Sequence, residues 1–262
     1  MRSLHVNGID LHWREDGDPE GRPVVFANSL GTDLRLWDDL LPLLPEGLRL
    51  IRFDLRGHGL SGCPEAPYEM GTLVADAEAL IDALGLEAPV FVGLSIGGMI
   101  GQGLAAKRPD LLRALVLSNT AAKMGEAAMW QTRMQAIRED GLASIGDAVM
   151  QRWFAPAFLQ TDALPAWRNM MCRTPQEGYL GCCAAIAGTD LATSTAKLTL
   201  PVLGIAGADD GASPPELVKG TVDLIDGARF EVIDGTGHLP CAEKPEAYAE
   251  ILTRFLKEIG HV

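Results

Sequence analysis

Hydrophobic residues in the first 121 positions fall into short apolar runs separated by amphipathic segments. Apolar runs of this length are typical of strands that are buried on both faces of a sheet. The runs occupy residues 23–27, 48–54, 90–92 and 112–118. Ahead of them, residues 4–15 alternate between apolar and polar around the tight-turn pair Asn7-Gly8, which predicts a β-hairpin.

The segments between these strands have helical spacing, and Leu73, Ala77 and Leu80, for example, share one face of a predicted helix. The predicted helices cover residues 34–44, 72–84 and 99–106. Because strands that alternate with helices are joined by crossover connections, we expect an α/β fold with a mostly parallel twisted sheet and helices on both faces. Ligands of such sheets bind beyond the carboxyl ends of the strands.

The alternation stops after residue 121, and no strand-like run follows until residue 200. Helical patterns fill this interval, at residues 129–137, 142–154, 163–171 and 176–187. Strands are predicted again at residues 201–206 and 229–233, and helices at 214–224 and 245–259. We therefore predict a core formed by residues 1–121 and 191–262, and a helical lid (cap) formed by residues 122–190.

The charge is unevenly distributed between these two parts. The whole chain has a net charge of -13, which argues against nucleic acid or an anionic membrane surface as a partner. The lid contains six basic and seven acidic residues, so it is close to neutral. It is therefore the least repulsive surface that the chain offers to a small anion, although the arginines are also explained by their preference for helices.

The remaining composition suggests an ordinary globular protein, with 47% hydrophobic and 22% charged residues. No leader-like pattern opens the sequence, and no apolar run reaches the roughly 18 residues of a membrane span. Five cysteines, an odd number without C-x-x-C spacing, predict reduced thiols in a cytoplasmic protein and no metal site. No cofactor is expected, and a homo-oligomer is compatible with the composition.

The stretch after the strand at residues 90–92 carries the clearest chemical signal. Gly93 and Gly97 flank Ser95 in a G-x-S-x-G pattern that lies between a predicted strand and a predicted helix. The glycines permit a turn so tight that side chains would collide there. Ser95 is therefore predicted to be a nucleophile exposed at the tip of the turn.

A serine nucleophile needs a histidine base, and an acid that orients the histidine. Two histidines, His238 and His261, follow the strand at residues 201–206. His261 is the penultimate residue, so we expect it to be frayed, whereas His238 follows a strand in a glycine-rich loop. Asp209 and Asp210 both lie where the acid is expected, and the pattern does not choose between them.

The three histidines that precede Ser95 are expected to be structural, with His58 as the likeliest exception because its loop lies at the active edge of the sheet. Hydrolysis also requires donors for the oxyanion. The backbone N–H of Ile96, directly after the nucleophile, is one candidate. The N–H of Leu30, in the loop after the strand at residues 23–27, is the other.

Five motifs together resemble the α/β-hydrolase superfamily across the whole chain. They are Asn28-Ser29-Leu30-Gly31, Asp54-Leu55-Arg56-Gly57-His58-Gly59, Gly93-Leu94-Ser95-Ile96-Gly97-Gly98, Gly207-Ala208-Asp209-Asp210 and Gly237-His238. Within that superfamily, the chain is similar to the 3-oxoadipate enol-lactonases of the β-ketoadipate pathway. The narrower features are Asn28-Ser29-Leu30-Gly31, Arg152-Trp153-Phe154 and Glu177-Gly178-Tyr179.

The resemblance implies a serine hydrolase with Ser95 as nucleophile, His238 as base and Asp210 as acid. It also implies a small anionic lactone as substrate, whose carboxylate needs a cation in a partly dry pocket. Family likeness and lid charge together point to Arg133 for this carboxylate. Trp130, one helical turn earlier, is the candidate for the pocket wall, and Trp153 is a weaker candidate.

Several alternatives remain open on the same residues. Another carboxylesterase, a carbon–carbon bond hydrolase or a perhydrolase would use the same serine, histidine and acid. A non-catalytic ligand receptor on this fold is an alternative of a different class. Relatives with a carboxylate nucleophile, such as epoxide hydrolases and haloalkane dehalogenases, are disfavoured because the central residue of the turn is Ser95.

Overall fold

A single eight-stranded sheet runs through the computed structural model, which describes residues 1–262. The strands are β1 (Arg2–Val6), β2 (Ile9–Gly17), β3 (Arg22–Ala27), β4 (Leu48–Phe53), β5 (Val90–Leu94), β6 (Ala114–Ser118), β7 (Val202–Gly207) and β8 (Arg229–Ile233). Their order in the sheet is β1-β2-β4-β3-β5-β6-β7-β8. Strand β2 is antiparallel to β1 and β4, and all the other neighbours are parallel, which confirms the α/β fold.

Ten α-helices accompany the sheet. They are α1 (Met70–Ala83), α2 (Ile96–Lys107), α3 (Ala127–Asp140), α4 (Gly146–Trp153), α5 (Leu164–Cys172), α6 (Gln176–Ala187), α7 (Ala192–Thr195), α8 (Pro215–Val222), α9 (Pro240–Glu243) and α10 (Pro245–Glu258). The four-residue helices α7 and α9 were not predicted, because one turn is too short to show helical periodicity. None of the helices combines the length and the apolar character that crossing a membrane requires.

The segment between β6 and β7 contains helices and no strand. Helices α3, α4, α5 and α6 lie in it, at the positions that the sequence predicts. Its buried side chains, among them Trp130 and Trp153, belong to the same hydrophobic cluster as the sheet residues Val92 and Leu117. The separation into a core of residues 1–121 and 191–262 and a lid of residues 122–190 stays a prediction. We call residues 122–190 the lid below.

The helix predicted over residues 34–44 is wrong. Two short 3-10 helices, Leu34–Trp37 and Leu41–Leu43, replace it. Pro42 lacks the N–H that an α-helix would use at that point, which interrupts the helix. The Asp33 side chain accepts a hydrogen bond from the Arg35 N–H and caps the first turn.

The expectation that His261 is frayed is also wrong. His261 is buried, its N–H donates to the carbonyl oxygen of Leu256, and its Nε2 lies 3.1 Å from the carbonyl oxygen of Pro23. Burial lowers the pKa of this imidazole. The chain terminus is therefore packed against the start of β3, where tertiary contacts outweigh the usual mobility of a terminus.

The lid and the core are in close backbone contact where Gly178 of α6 meets Gly57. A Cβ atom at Gly178 would overlap the carbonyl oxygen and the Cα of Gly57, and Gly57 itself has a φ of 73°. Both sides of this contact are backbone, so neither can move away by a change of rotamer. The contact fixes the start of α6 against the loop after β4.

We expect Gly178→Ala to lower the free energy of unfolding by about 1–3 kcal/mol, because the added methyl group forces the backbones apart. Gly71→Ala in α1 is the matched control, since a Cβ at Gly71 meets nothing within 4 Å. That control should be neutral or stabilising by about 0.5–1 kcal/mol. Urea denaturation of both variants measures the difference, and equal stabilities would contradict the proposed contact.

Candidate active site

Ser95 occupies a strained turn between β5 and α2. Its φ of 58° and ψ of -119° lie in a region that residues other than glycine rarely adopt. A Cβ at Gly93 would overlap the carbonyl oxygen of Gly97, and a Cβ at Gly97 would overlap that of Ala27. The two glycines thus allow strand, turn and helix to crowd together, as the sequence predicts, but the expectation that Ser95 is exposed is wrong, because the lid and the neighbouring loops bury it.

His238 and Asp210 form a buried pair at the ends of β8 and β7. His238 Nδ1 lies 2.8 Å from Asp210 Oδ2, whereas the neighbouring Asp209 is exposed. Burial alone would raise the pKa of Asp210, but the nearby His238 and the hydrogen bonds from Asn119 and Ser213 lower it. The carboxylate is therefore ionised and accepts a hydrogen bond from Nδ1–H of His238, which leaves Nε2 as the ring nitrogen that can take up a proton.

The carboxylate of Asp210 is held by the surrounding backbone and by Asn119. Its Oδ1 accepts the N–H groups of Ala212 and Ser213 at 2.7 and 3.0 Å, and its Oδ2 also accepts Asn119 Nδ2 at 2.8 Å. Asn119 follows β6 directly with a φ of 47°, a conformation that asparagine tolerates better than most residues. These bonds fix the orientation of the acid before any ligand binds.

Ser95 and His238 line one cavity of about 150 Å³ between the sheet and the lid. Leu30, Trp130, Arg133 and Trp153 line it too, so the structure brings these sequence-predicted residues together. Asp210 lies behind His238, and Ile96 is buried as the first residue of α2. The roles of these residues in catalysis or binding stay a prediction at this point.

Two backbone amides are available near Ser95. The Leu30 N–H has no acceptor within the protein, and the Ile96 N–H, as the first of α2, has none within its helix. The loop that carries Leu30 is held by His58, whose Nε2 accepts the Gly31 N–H at 3.0 Å. Burial lowers the pKa of His58, so it is neutral and acts as an acceptor there.

Lid residues 152–155 are attached to the loops that carry Asp210 and His238. The carbonyl oxygen of Trp153 accepts the His238 N–H at 2.6 Å, and its ring stacks on the imidazole with centroids 6.3 Å apart. Glu243 joins the same parts, because its carboxylate accepts the N–H groups of Gly237 at 2.6 Å and Ala155 at 2.9 Å. Burial and the charges of Asp209 and Asp210 raise the pKa of Glu243 to about 7.

Sequence reasoning missed four residues of this site. Asn119, Arg152, Tyr179 and Glu243 contact or line it, and none was predicted to take part. Arg152 and Tyr179 appeared only as members of family-like motifs. Asn119 had a usable signal, an asparagine directly after a buried strand, whereas the other three depend on how the lid packs.

A sharp turn from strand to helix with a serine at its tip, at the carboxyl edge of a doubly wound sheet, defines a broad class of hydrolases. The chain belongs to the α/β-hydrolase family, because a family model described as the alpha/beta hydrolase fold matches residues 22–245. It is a hydrolase of that family, as the sequence resemblance predicts.

Individual relatives span nearly the whole chain. The chain is 32% identical to 3-oxoadipate enol-lactonase 2 of Acinetobacter baylyi, over 98% of this chain and 97% of the relative. The crystal structure of an enol-lactonase from Burkholderia xenovorans superimposes with a TM-score of 0.94 at 34% identity, covering 98% of this chain and all of that one. A thermophilic esterase from Thermogutta terrifontis gives a TM-score of 0.93 at 26% identity, with both chains fully covered.

The raised pKa of Glu243 predicts a specific dependence of stability on pH. Its pKa is about 7 in the folded protein and about 4.3 in the unfolded chain. Protonated Glu243 therefore adds to the free energy of unfolding below about pH 4.3, and this contribution is lost as the pH rises through 7. We expect the Tm difference between wild type and Glu243→Gln to shrink from about pH 5 to about pH 8. Thermal unfolding measures it, with Glu246→Gln at an exposed position as control; a difference that is independent of pH would contradict the prediction.

Proposed function

We propose that this hydrolase opens the ring of 3-oxoadipate enol-lactone to give 3-oxoadipate, in the catabolism of aromatic compounds through the β-ketoadipate pathway. The observation that carries the proposal is a single cavity shared by Ser95, His238 and two arginines without acidic partners, Arg133 and Arg152. The similarity to two enol-lactonases supports the same substrate. The five free cysteines support a reducing, cytoplasmic compartment.

In the first half of the proposed reaction, Ser95 Oγ attacks the lactone carbonyl carbon while its proton passes to Nε2 of His238. Asp210 holds the Nδ1–H and stabilises the imidazolium. The N–H groups of Leu30 and Ile96 donate to the oxyanion of the tetrahedral intermediate. Removing one such donor from a hydrolase typically costs about 3 kcal/mol of transition-state stabilisation.

Collapse of the intermediate breaks the bond between the acyl carbon and the ring oxygen. The ring oxygen takes the proton from His238 and leaves as an enol, a better leaving group than an alkoxide, which then tautomerises to a ketone. His238 next removes a proton from water, which attacks the ester formed with Ser95. When this second intermediate collapses, the product carboxylate is released and Ser95 recovers its proton.

The substrate carries a free carboxylate, and the chain as a whole is acidic. An anion therefore needs a local cation in the cavity. Arg133 is half-buried, its guanidinium lies 5.2 Å from the ring centroid of Trp130, and its Nη1 lies 3.5 Å from Tyr179 Oη. No carboxylate forms an ion pair with it, so its charge is available to the substrate.

The central test is Ser95→Ala. We expect at least a ~10³-fold loss of kcat for the enol-lactone, because the nucleophile is removed, with an unchanged thermal unfolding curve. The loss of absorbance of the enol-lactone is measured beside hydrolysis of a neutral p-nitrophenyl ester. Near-wild-type turnover by the variant would rule out the mechanism, and a wild-type preference for the neutral ester would favour a general carboxylesterase instead.

A second test concerns the carboxylate. We expect Arg133→Met to raise KM for the enol-lactone by about 10-fold or more, because a charge-assisted hydrogen bond is lost, and to raise KM for a neutral ester much less. Steady-state kinetics with both substrates give the comparison. Equal effects on both would show that Arg133 packs the lid without binding the anion.

A further inference from the structure

Two guanidinium groups face the cavity without a counterion. Arg133 and Arg152 both line it, and neither forms an ion pair with any carboxylate of the chain. Burial lowers the pKa of Arg152 and the charge of Arg133 lowers it further, whereas the more distant charge of Asp210, which forms no ion pair with it, raises it. Two like charges held close together in a partly dry cavity are unfavourable unless an anion joins them.

Arg152 and Arg133 belong to different helices of the lid. Arg152 lies in the last turn of α4 next to Trp153, whose ring stacks on His238 and whose carbonyl oxygen accepts the His238 N–H. Its Nε donates to the carbonyl oxygen of Gly211 at 3.0 Å, and its own carbonyl oxygen accepts the Gly211 N–H at 3.1 Å. Arg152 is thus fixed beside the loops that carry Asp210 and His238.

Arg133, by contrast, belongs to α3 and contacts Trp130 and Tyr179. Neither of those residues is bonded to the Asp210 loop or to the His238 loop. Of the two cations, Arg152 is therefore the one that is bonded to a loop of the Asp210–His238 pair, at Gly211.

The mechanism of acyl transfer determines which part of the substrate lies beside the imidazole of His238. The proton that the base receives from the serine must reach the leaving oxygen, so that oxygen has to lie within hydrogen-bond reach of His238 Nε2. Any group attached to the leaving oxygen extends along the same side of the cavity. The oxyanion donors bind the carbonyl oxygen, and the acyl substituent, on a separate bond of the same carbon, extends elsewhere.

We propose that Arg152 binds a carboxylate carried by the leaving-group side of the substrate, and so selects esters and lactones with the anion on that side. The proposal rests on the serine hydrolase mechanism above and adds a specificity residue to it. Because Nε is occupied by Gly211, both terminal nitrogens of the guanidinium remain free for a bidentate carboxylate. In an enol-lactone that carries its carboxylate on the enol carbon, that group lies on this side, where Arg152 joins Arg133 in binding it.

Two isomeric esters test the direction. In 3-acetoxypropanoate the carboxylate belongs to the leaving alcohol, whereas in monomethyl succinate it belongs to the acyl part. We expect the wild type to hydrolyse 3-acetoxypropanoate with the higher kcat/KM. Arg152→Met should reduce the ratio of the two kcat/KM values by about 10- to 100-fold, the worth of one charge-assisted hydrogen-bonded pair.

Arg152→Lys, which keeps the charge but not the bidentate geometry, should retain part of the ratio. Arg138→Met is the matched control, because Arg138 lies in the same lid, is exposed and does not line the cavity. It should leave the ratio unchanged. A lower concentration of folded enzyme reduces both kcat/KM values by the same factor. Their ratio therefore remains a valid test even if a variant is destabilised.

A wild-type preference for monomethyl succinate, an unchanged ratio in Arg152→Met, or hydrolysis of neither ester would overturn the proposal. Failure of the proposed lactone activity is seen separately, as absence of enol-lactone turnover by the wild type. If the wild type does not hydrolyse the enol-lactone but Arg152→Met abolishes its preference between the two esters, the role of Arg152 is supported and the lactone substrate is disproved.

Discussion

The close packing of backbone around Ser95 is the constraint on which the rest of the site depends. The serine holds a φ of 58° only because Gly93, Gly97 and the end of β3 approach within distances that exclude any side chain. That approach places the first N–H groups of α2 and the loop after β3 beside the same hydroxyl. A hydroxyl and two backbone N–H groups are thereby brought together by one steric condition, before the histidine or the lid is considered.

The cavity also differs from the rest of the chain in its charge. A chain with a net charge of -13 leaves two arginines unpaired at the one place where Ser95 and His238 are also found. Elsewhere its arginines mostly pair with carboxylates, as Arg52 does with Asp16 and Asp38, and Arg56 with Asp76. The contrast fits a surface that repels anions in general and a cavity that accepts one.

Sequence reasoning predicts what is encoded locally. The turn at Ser95 and the loop at His238 follow buried strands and contain the glycines that such turns require, so their meeting at one cavity could be predicted. Asp210 could not be separated from Asp209 by pattern alone, because both follow β7 and only the docking of the loop decides which one faces His238. Residues 34–44 and His261 were misjudged because Pro42 and packing against Pro23 override local tendencies. Arg152 was missed because its position depends on Gly211, 59 residues away.

The attachment of residues 152–155 to both loops has a consequence for entry into the cavity. If the lid swung away as a rigid flap, it would break the bonds of Trp153 and Glu243 and pull the imidazole from its place. Access to the cavity is therefore expected through flexible side chains of its wall, and Met129, which is 44% exposed, is one of them. An unbranched thioether side chain rearranges more easily than the bonded residues 152–155, and His238 keeps its hydrogen-bond partners when it does.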